Sequence, residues 1–445
     1  MQLRYLAGRR DLLAPAALFP DRYPCLLESV VRGTPQSRFD ILFAYPGASF
    51  TQHADGRVID HHGVSHDEDF LAVLDRAWQA ERAAPSEDGL PFHGGWVLML
   101  AYELAGRIEP RLHLRPHDVL PVAVALRCSA AVIVDHERDC TIVLAEEDPA
   151  QLDALELDLS VAWMASPLPS PGELIEDPPR HFLDGVARIH EHLQAGDIFQ
   201  VNLSRAWEAR YREPVRAGDV YAALRQANPA PFSGLFQHAG WALASSSPER
   251  LVEVRGGVAQ TRPIAGTRPR VADDDDTARI RELTTHPKER AEHVMLIDLE
   301  RNDLGRVCAP GTVEVDELMV VESYAHVHHI VSNVRGCLRK GTTPGEVIAA
   351  TFPGGTITGC PKVRCMEIIA ALEDAPRGAY TGALGYLDRN GDLDLNILIR
   401  TLTLADNRIG LRAGAGIVAD SVAVAELEET RAKARGLLRT LGIGT

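Results

Sequence analysis

Between Ser166 and Arg180 the chain reads SPLPSPGELIEDPPR, with proline at 167, 169, 171, 178 and 179. Each proline fixes its own φ and removes a backbone donor, so the stretch is barred from helix and sheet interiors and favours extended chain. It divides the sequence into a region 1–165 and a region 180–441. The 445 residues leave room for one large domain or a few smaller ones, at roughly 150 residues each.

Strand-like segments dominate the first region. Arg38–Tyr45 and Val122–Leu144 read as strands, the latter folded at the polar turn His136–Asp139. Phe70, Val73, Leu74 and Trp78 recur at helical spacing within Asp69–Arg82. In the second region Phe182, Val186, Ile189 and Leu193 share a helical face, and Gly196 suits its C-terminal cap. Ile198–Arg210 reads as a strand. Arg279–Leu299, Pro361–Glu373 and Ala423–Leu441 read as helices. Ala383–Asp388 and Asp394–Leu404 read as a strand pair around the turn Arg389–Asp392.

The 62 acidic residues outnumber the 46 basic ones, for a net charge of -16. Such a surface repels nucleic acid and anionic membranes, and an anionic substrate needs a local basic cluster. The Cys count is 7, with no C-x-x-C pair, which suits reduced thiols in the cytosol. The N-terminus lacks a signal-type apolar stretch, and apolar runs such as Trp96–Tyr102 fall short of the ~20 residues of a membrane span. A cytoplasmic protein is expected.

Two carboxylate pairs stand out. Glu289 and Glu292 share a face of one predicted helix, and Glu426 and Glu429 repeat the spacing on another. Like charges so placed repel unless a cation lies between them, and hard oxygen donors favour Mg²⁺ over zinc. Taken alone, each pair is better read as a solvated helix face, and the metal reading needs a wider pattern that joins the two. Phe352–Lys362 (FPGGTITGCPK) precedes a helix and fits a loop whose amides point at an anion, though it is not a P-loop. Ala413–Gly416 (AGAG) permits close approach of backbone to a ligand. Arg400 lies in the otherwise apolar NILIRTLTL, where it needs an anion or an ion pair. Lys433 faces the same side as Glu429. Glu249, after Ser-Pro at a turn into a strand, is a general acid if burial raises its pKa.

In order, SPERL, PIAGTRPR, KERAEH, LIDLERNDLGR, VHHIVS, PGGTITGCPKVRCMEII, AYTGALGY, NILIRT, AGAGIVADS and EETRAKA resemble the chorismate-utilising enzymes from about Phe182 to Leu441. RFDILFAYP and LPFHGGWVLMLAYELAGR look like the members fed with ammonia by a glutaminase. The resemblance implies an α+β fold in which large antiparallel β-sheets pack as a sandwich with helices outside. It implies that the first region completes this core.

The resemblance also implies roles. Glu292 and Glu429 look like direct Mg²⁺ ligands, with Glu289 and Glu426 direct or through water. Mg²⁺ then neutralises the ring carboxylate of chorismate and helps the C4 hydroxyl leave. Glu249 matches the acid that protonates that hydroxyl. Tyr380, Arg400 and Lys433, with the backbone near Gly414 and Gly416, match the groups that bind the enolpyruvyl side. His329 and Thr356 match positions near the reacting ring, and Thr267 a substrate-binding position. PCLLESV resembles a tryptophan-binding segment, which places Leu27, Glu28 and Ser29 as tryptophan-binding candidates.

Members that use water carry a Lys base where this chain has Gln200, so amination is expected. No G-x-C-x-G glutaminase segment is present, so ammonia is expected from a separate glutamine amidotransferase subunit. QVNLSRAW, NPAPFSGLF, VHHIVS and FPGGTITG look like the branch that aminates C4 for 4-aminobenzoate and folate synthesis. Ala265 departs from that branch, whose PIKGT carries a nucleophilic Lys. C4 amination is the favoured expectation. C2 amination with loss of pyruvate, the anthranilate synthase reaction, is the alternative. A non-catalytic chorismate or tryptophan sensor is the alternative of another class.

Overall fold

The computed structural model describes residues 1–31, 37–269, 281, 287–323 and 327–444. The side chains of residues 265, 267–269, 287–289, 323, 327 and 328 lie outside that description.

Two antiparallel sheets form the centre. The first runs in the order Gln2–Ala7, Cys140–Ala145, Ala123–Asp135, Phe39–Gln52, Cys25–Glu28, Phe232–His238, Trp241–Ser247, Thr401–Ala405, Arg408–Ile417, Gln200–Arg210, Glu173–Glu176. The second starts from the same Phe39–Gln52 and Ala123–Asp135. It continues through Gly95–Leu100, Ala383–Asp388, Leu393–Ile397, Arg250–Arg255 and Val258–Thr261 to Val327–Cys337. Ile264–Pro269 and Glu314–Ser323 flank that last strand. The two long strands belong to both sheets. Their pairing shifts register between Pro46 and Ser49, and a shift of that kind bends a strand enough to pass it from one sheet to the next.

Strands from both sides of the proline-rich tract thus pair directly, Cys25–Glu28 with Phe232–His238 and Gly95–Leu100 with Ala383–Asp388. The apolar clusters mix them too. Trp78 and Trp96 pack in one cluster with Val186, Ile189 and Ile397, and Phe43 and Met99 in another with Phe236 and Leu384. Burying each such side chain stabilises by roughly 1.5–3 kcal/mol. Within the tract, Glu173–Glu176 pairs at the edge of the first sheet, where missing amide donors are tolerated. Pro179 opens the helix Pro179–Gln194, the helical position that tolerates proline best.

Most predicted elements form. Asp69 caps Phe70–Glu81 by accepting from Ala72 N, and Gly196 adopts φ +76 just past Pro179–Gln194. The predicted helix from Arg279 differs at its end: Pro287–Gly305 continues beyond Leu299, while residues 282–286 lie outside the description. Ala413–Gly416 lies inside the strand Arg408–Ile417. Asp394–Leu404 is not a single strand. It breaks at Leu398–Arg400 into Leu393–Ile397, in the second sheet, and Thr401–Ala405, in the first.

That break has a neighbour. Trp241–Ser247 lies in the first sheet and Arg250–Arg255 in the second, joined by Pro248 and Glu249. The two strands cross between the sheets side by side. At the crossing Ser246 N donates to Arg400 O (3.1 Å), and Ile397 N donates to Glu249 O (3.0 Å). Glu249 and Arg400 are therefore set next to each other by main-chain bonds, although far apart in sequence.

Candidate active site

Glu249 is 7% exposed at this crossing. Thr356 Oγ1, from the short turn Gly355–Ile357, donates to its Oε1 at 2.8 Å. Burial pushes the carboxyl up to about 7, against the smaller opposing effects of Thr356, Arg400 and Lys433. Near neutral pH it can therefore carry a proton and give it up, as a general acid must.

Arg400 holds φ +52, a left-handed conformation that costs a non-glycine residue roughly 1–2 kcal/mol. The Ser246 and Ile397 bonds fix that corner, and the charge of Arg400 acts on Glu249. Lys433, on the helix Ala423–Thr440, donates from Nζ to Gly414 O at 3.0 Å and pairs with Glu429 at 2.7 Å. Sequence reading placed Arg400 within a strand; the structure places it at the sheet crossing, where the broken ladder leaves room for its side chain beside the acid.

The glycines have a different reason from the one expected. A Cβ on Gly414 would lie 2.3 Å from Asn202 Oδ1 and 2.6 Å from Tyr380 Oη, and one on Gly416 would lie 2.6 Å from Gln200 Nε2. The glycine strand clears space for side chains of the facing strand, with Asn202 paired to Gly416 and Ser204 to Gly414. Tyr380 Oη donates weakly to Asn202 Oδ1 at 3.5 Å. Asn202 thus joins the set, and its signal was the QVNLSR segment itself. His329 is 6% exposed and pairs across from Thr267 in the sheet. The side chains of Ala265, Thr267 and Glu289 lie outside the described residues.

Glu292 lines a groove of about 940 Å³ with Phe199, Met295, Leu299, Lys362 and Val418. Leu299 packs onto Gly355, next to Thr356, so the groove wall adjoins the acid's partner. Glu426 and Glu429 are on the Ala423–Thr440 helix. Among the described residues no three His, Cys, Asp or Glu side chains converge on a metal position, and the Glu289 side chain is not among them. The donor types still suit a hard dication, being carboxylate oxygens alone.

Leu27, Glu28 and Ser29 come together in a separate cavity of about 360 Å³, with Arg250, Tyr386 and Asp394. Glu28 accepts from Tyr221 Oη at 2.7 Å and from Arg225 at 3.1 Å, and burial pushes it up to about 7. Among the described residues no helix is long and apolar enough to cross a membrane.

Fold and site define an α+β enzyme with a buried acid flanked by cations, suited to a small anion. The chain matches the chorismate binding enzymes over residues 30–439. It is 40% identical over 430 residues to anthranilate synthase component 1 of Thermus thermophilus, spanning 94% of this chain and 91% of that one. It is 37% identical over 432 residues to aminodeoxychorismate synthase component 1 of Escherichia coli, spanning 94% and 92%. The crystal structure of anthranilate synthase component I from Streptococcus pneumoniae superposes with a TM-score of 0.81 at 31% identity, spanning 92% of this chain and 93% of that one. The chain belongs to the chorismate binding enzyme family.

Proposed function

We propose that this protein aminates chorismate at C4, giving 4-amino-4-deoxychorismate for 4-aminobenzoate and folate synthesis. The observation that carries the acid chemistry is Glu249, buried and raised to about 7, held by Thr356 and facing Arg400 and Lys433. The choice of C4 is supported by Asn202, from one of the segments that look like the C4 branch, which lies against Tyr380 and Gly414.

In the proposed reaction ammonia forms the C–N bond at C4 and the C4–O bond breaks with its electron pair on oxygen. Glu249 supplies the proton that lets the hydroxyl leave as water. The nitrogen, positive after attack, loses a proton, and the acid is restored. Arg400, Lys433 and Tyr380 hold the enolpyruvyl side, and the walls from Gly414 to Gly416 keep it in register. Glu289, Glu292, Glu426 and Glu429 would hold Mg²⁺, which when bound neutralises the ring carboxylate and eases loss of the hydroxyl. Ammonia would come from a separate glutamine amidotransferase subunit; both relatives above carry the designation component 1. The cavity at Leu27, Glu28 and Ser29 would take tryptophan.

Ala265 favours a second reading. A methyl group cannot form a covalent adduct at C2, and direct attack of ammonia at C2 with loss of pyruvate would give anthranilate. Incubation with chorismate, Mg²⁺ and ammonium at high pH separates the two. The C4 reading predicts 4-aminobenzoate only after a lyase is added. Fluorescent anthranilate with pyruvate, and no lyase, would support C2 instead.

A further inference from the structure

Glu249 and Tyr380 sit on different elements, the acid at the sheet crossing and the tyrosine in the loop before Ala383–Asp388. One buried side chain touches the surroundings of both. Arg377, three residues before Tyr380, is 4% exposed. Its Nη2 donates to Asn202 O at 2.7 Å and to Glu373 Oε1 at 2.7 Å, and its Nε donates to Glu373 Oε2 at 2.9 Å. Its Nη1 donates to Ile357 O at 3.2 Å and to Thr381 Oγ1 at 3.3 Å. A guanidinium carries five N–H groups in a rigid fork, and here each has an acceptor. The guanidinium also lies 4.9 Å from the ring of Tyr102 and 5.4 Å from that of Tyr380, within reach of cation–π attraction.

Three of these acceptors border groups given a part in the reaction. Ile357 follows Thr356, whose hydroxyl donates to Glu249 at 2.8 Å. Asn202 accepts from Tyr380 Oη through its side chain and pairs with Gly416. Thr381 follows Tyr380, and its N donates to Leu398 O at 2.8 Å, in the break that carries Arg400. Thr381 also holds φ +65, a left-handed conformation that a β-branched residue keeps only where its surroundings impose it. Glu373, just past the helix Lys362–Leu372, is buried as well and accepts further from Ser204 N and Oγ and from Arg412. A buried ion pair of this kind adds little net stability, because desolvation offsets its attraction. What it does here is fix the direction of the Arg377 fork.

We propose that Arg377 is a positioning residue, a buried clamp that sets the acid-holding turn Gly355–Ile357 against Asn202 and Tyr380. Glu249 has to meet the leaving hydroxyl while Tyr380 holds the enolpyruvyl side of the same molecule, so the placement of one relative to the other governs the rate. A misplacement of about 1 Å at such a site costs on the order of 100-fold. Lysine cannot replace the clamp, because a single ammonium does not span acceptors that need a planar fork. The inference rests on the roles given above to Glu249 and Tyr380, and it holds for amination at either carbon.

Two measurements on the full chain test it. The first is steady-state kinetics with chorismate, Mg²⁺ and ammonium, using Arg412→Lys as the comparison, since Arg412 shares Glu373 but donates to neither Asn202 O nor Ile357 O. Arg377→Lys should lower kcat/KM by about 10- to 100-fold, while Arg412→Lys stays within about threefold of the unmodified chain. Equal losses in the two would overturn the proposal. Combination with Thr356→Val separates positioning from general weakening. The loss in kcat caused by Arg377→Lys should be at least about threefold smaller in that background, where the turn no longer bonds the acid. Losses that simply multiply would overturn the proposal. If Arg377→Lys folds poorly, Tyr102→Leu runs the same cycle with the same two outcomes, because it frees one face of the guanidinium and leaves the Glu373 pair. The second measurement, hydrogen exchange, needs no turnover. Exchange at the Thr358 amide, bonded to Gly355 O, and at the Thr381 amide should quicken in Arg377→Lys and not in Arg412→Lys. Unchanged exchange at both would overturn the clamp. Failure of the unmodified chain to consume chorismate would instead remove the functional reading, and exchange would still decide the clamp.

Discussion

At the scale of single residues, the chemistry rests on where Glu249 is held. Its carboxyl is ordinarily near 4.5 and is raised to about 7 by burial. Between those values the folded chain keeps a proton that the unfolded chain has released. Stability therefore falls as pH rises through this window, and the loss is complete above it. Glu249→Gln removes the term. At pH 8 it should unfold later than the unmodified chain by up to roughly 3 kcal/mol, with the difference closing near pH 4, as chemical denaturation at both pH values would show. A variant less stable at both would count against the burial argument. The same substitution should lower kcat by about 100-fold or more, the usual worth of general acid catalysis. Glu292→Ala should lose Mg²⁺-dependent turnover yet keep its circular dichroism, because the helix retains its apolar face. Unchanged turnover at low Mg²⁺ would remove Glu292 from the ligand set.

Among the elements, the glycine strand Arg408–Ile417 gives the sharpest contrast. A methyl at Gly414 meets Asn202 Oδ1 at 2.3 Å and the Leu203 carbonyl at 2.8 Å, whereas one at Gly410 meets nothing within 4 Å. Gly414→Ala should cost roughly 1–3 kcal/mol by overpacking and raise KM for chorismate. Gly410→Ala should be near neutral on both counts. Denaturation and steady-state kinetics on the pair check this, and equal effects would contradict the packing. Sequence reading succeeded where the information is local. Phe70–Glu81 carried its own apolar spacing and an Asp cap, and Cys140–Ala145 followed a polar turn. It failed at NILIRT because nothing local separates a strand that continues from one that changes sheets. Arg400 turns there since Trp241–Ser247 and Arg250–Arg255 do the same beside it.

For the molecule as a whole, the pairings of Cys25–Glu28 with Phe232–His238 and of Gly95–Leu100 with Ala383–Asp388 tie the two regions around the proline-rich tract into common cores. Calorimetry of the full chain should show one cooperative transition, while a fragment starting at 180 should be poorly soluble, with the edges of Phe232–His238 and Ala383–Asp388 exposed. Two separable transitions would contradict a shared core. The family was legible from the ordered motifs, since their spacing survives although each alone is weak. The position of amination was not, because Ala265 and the segments around Asn202 point in different directions. Purified protein supplied with chorismate, Mg²⁺ and ammonium, with product followed before and after addition of a lyase, tests that central claim most directly. Chorismate loss with 4-aminobenzoate appearing only after the lyase is the predicted result; anthranilate and pyruvate appearing without it would contradict the account.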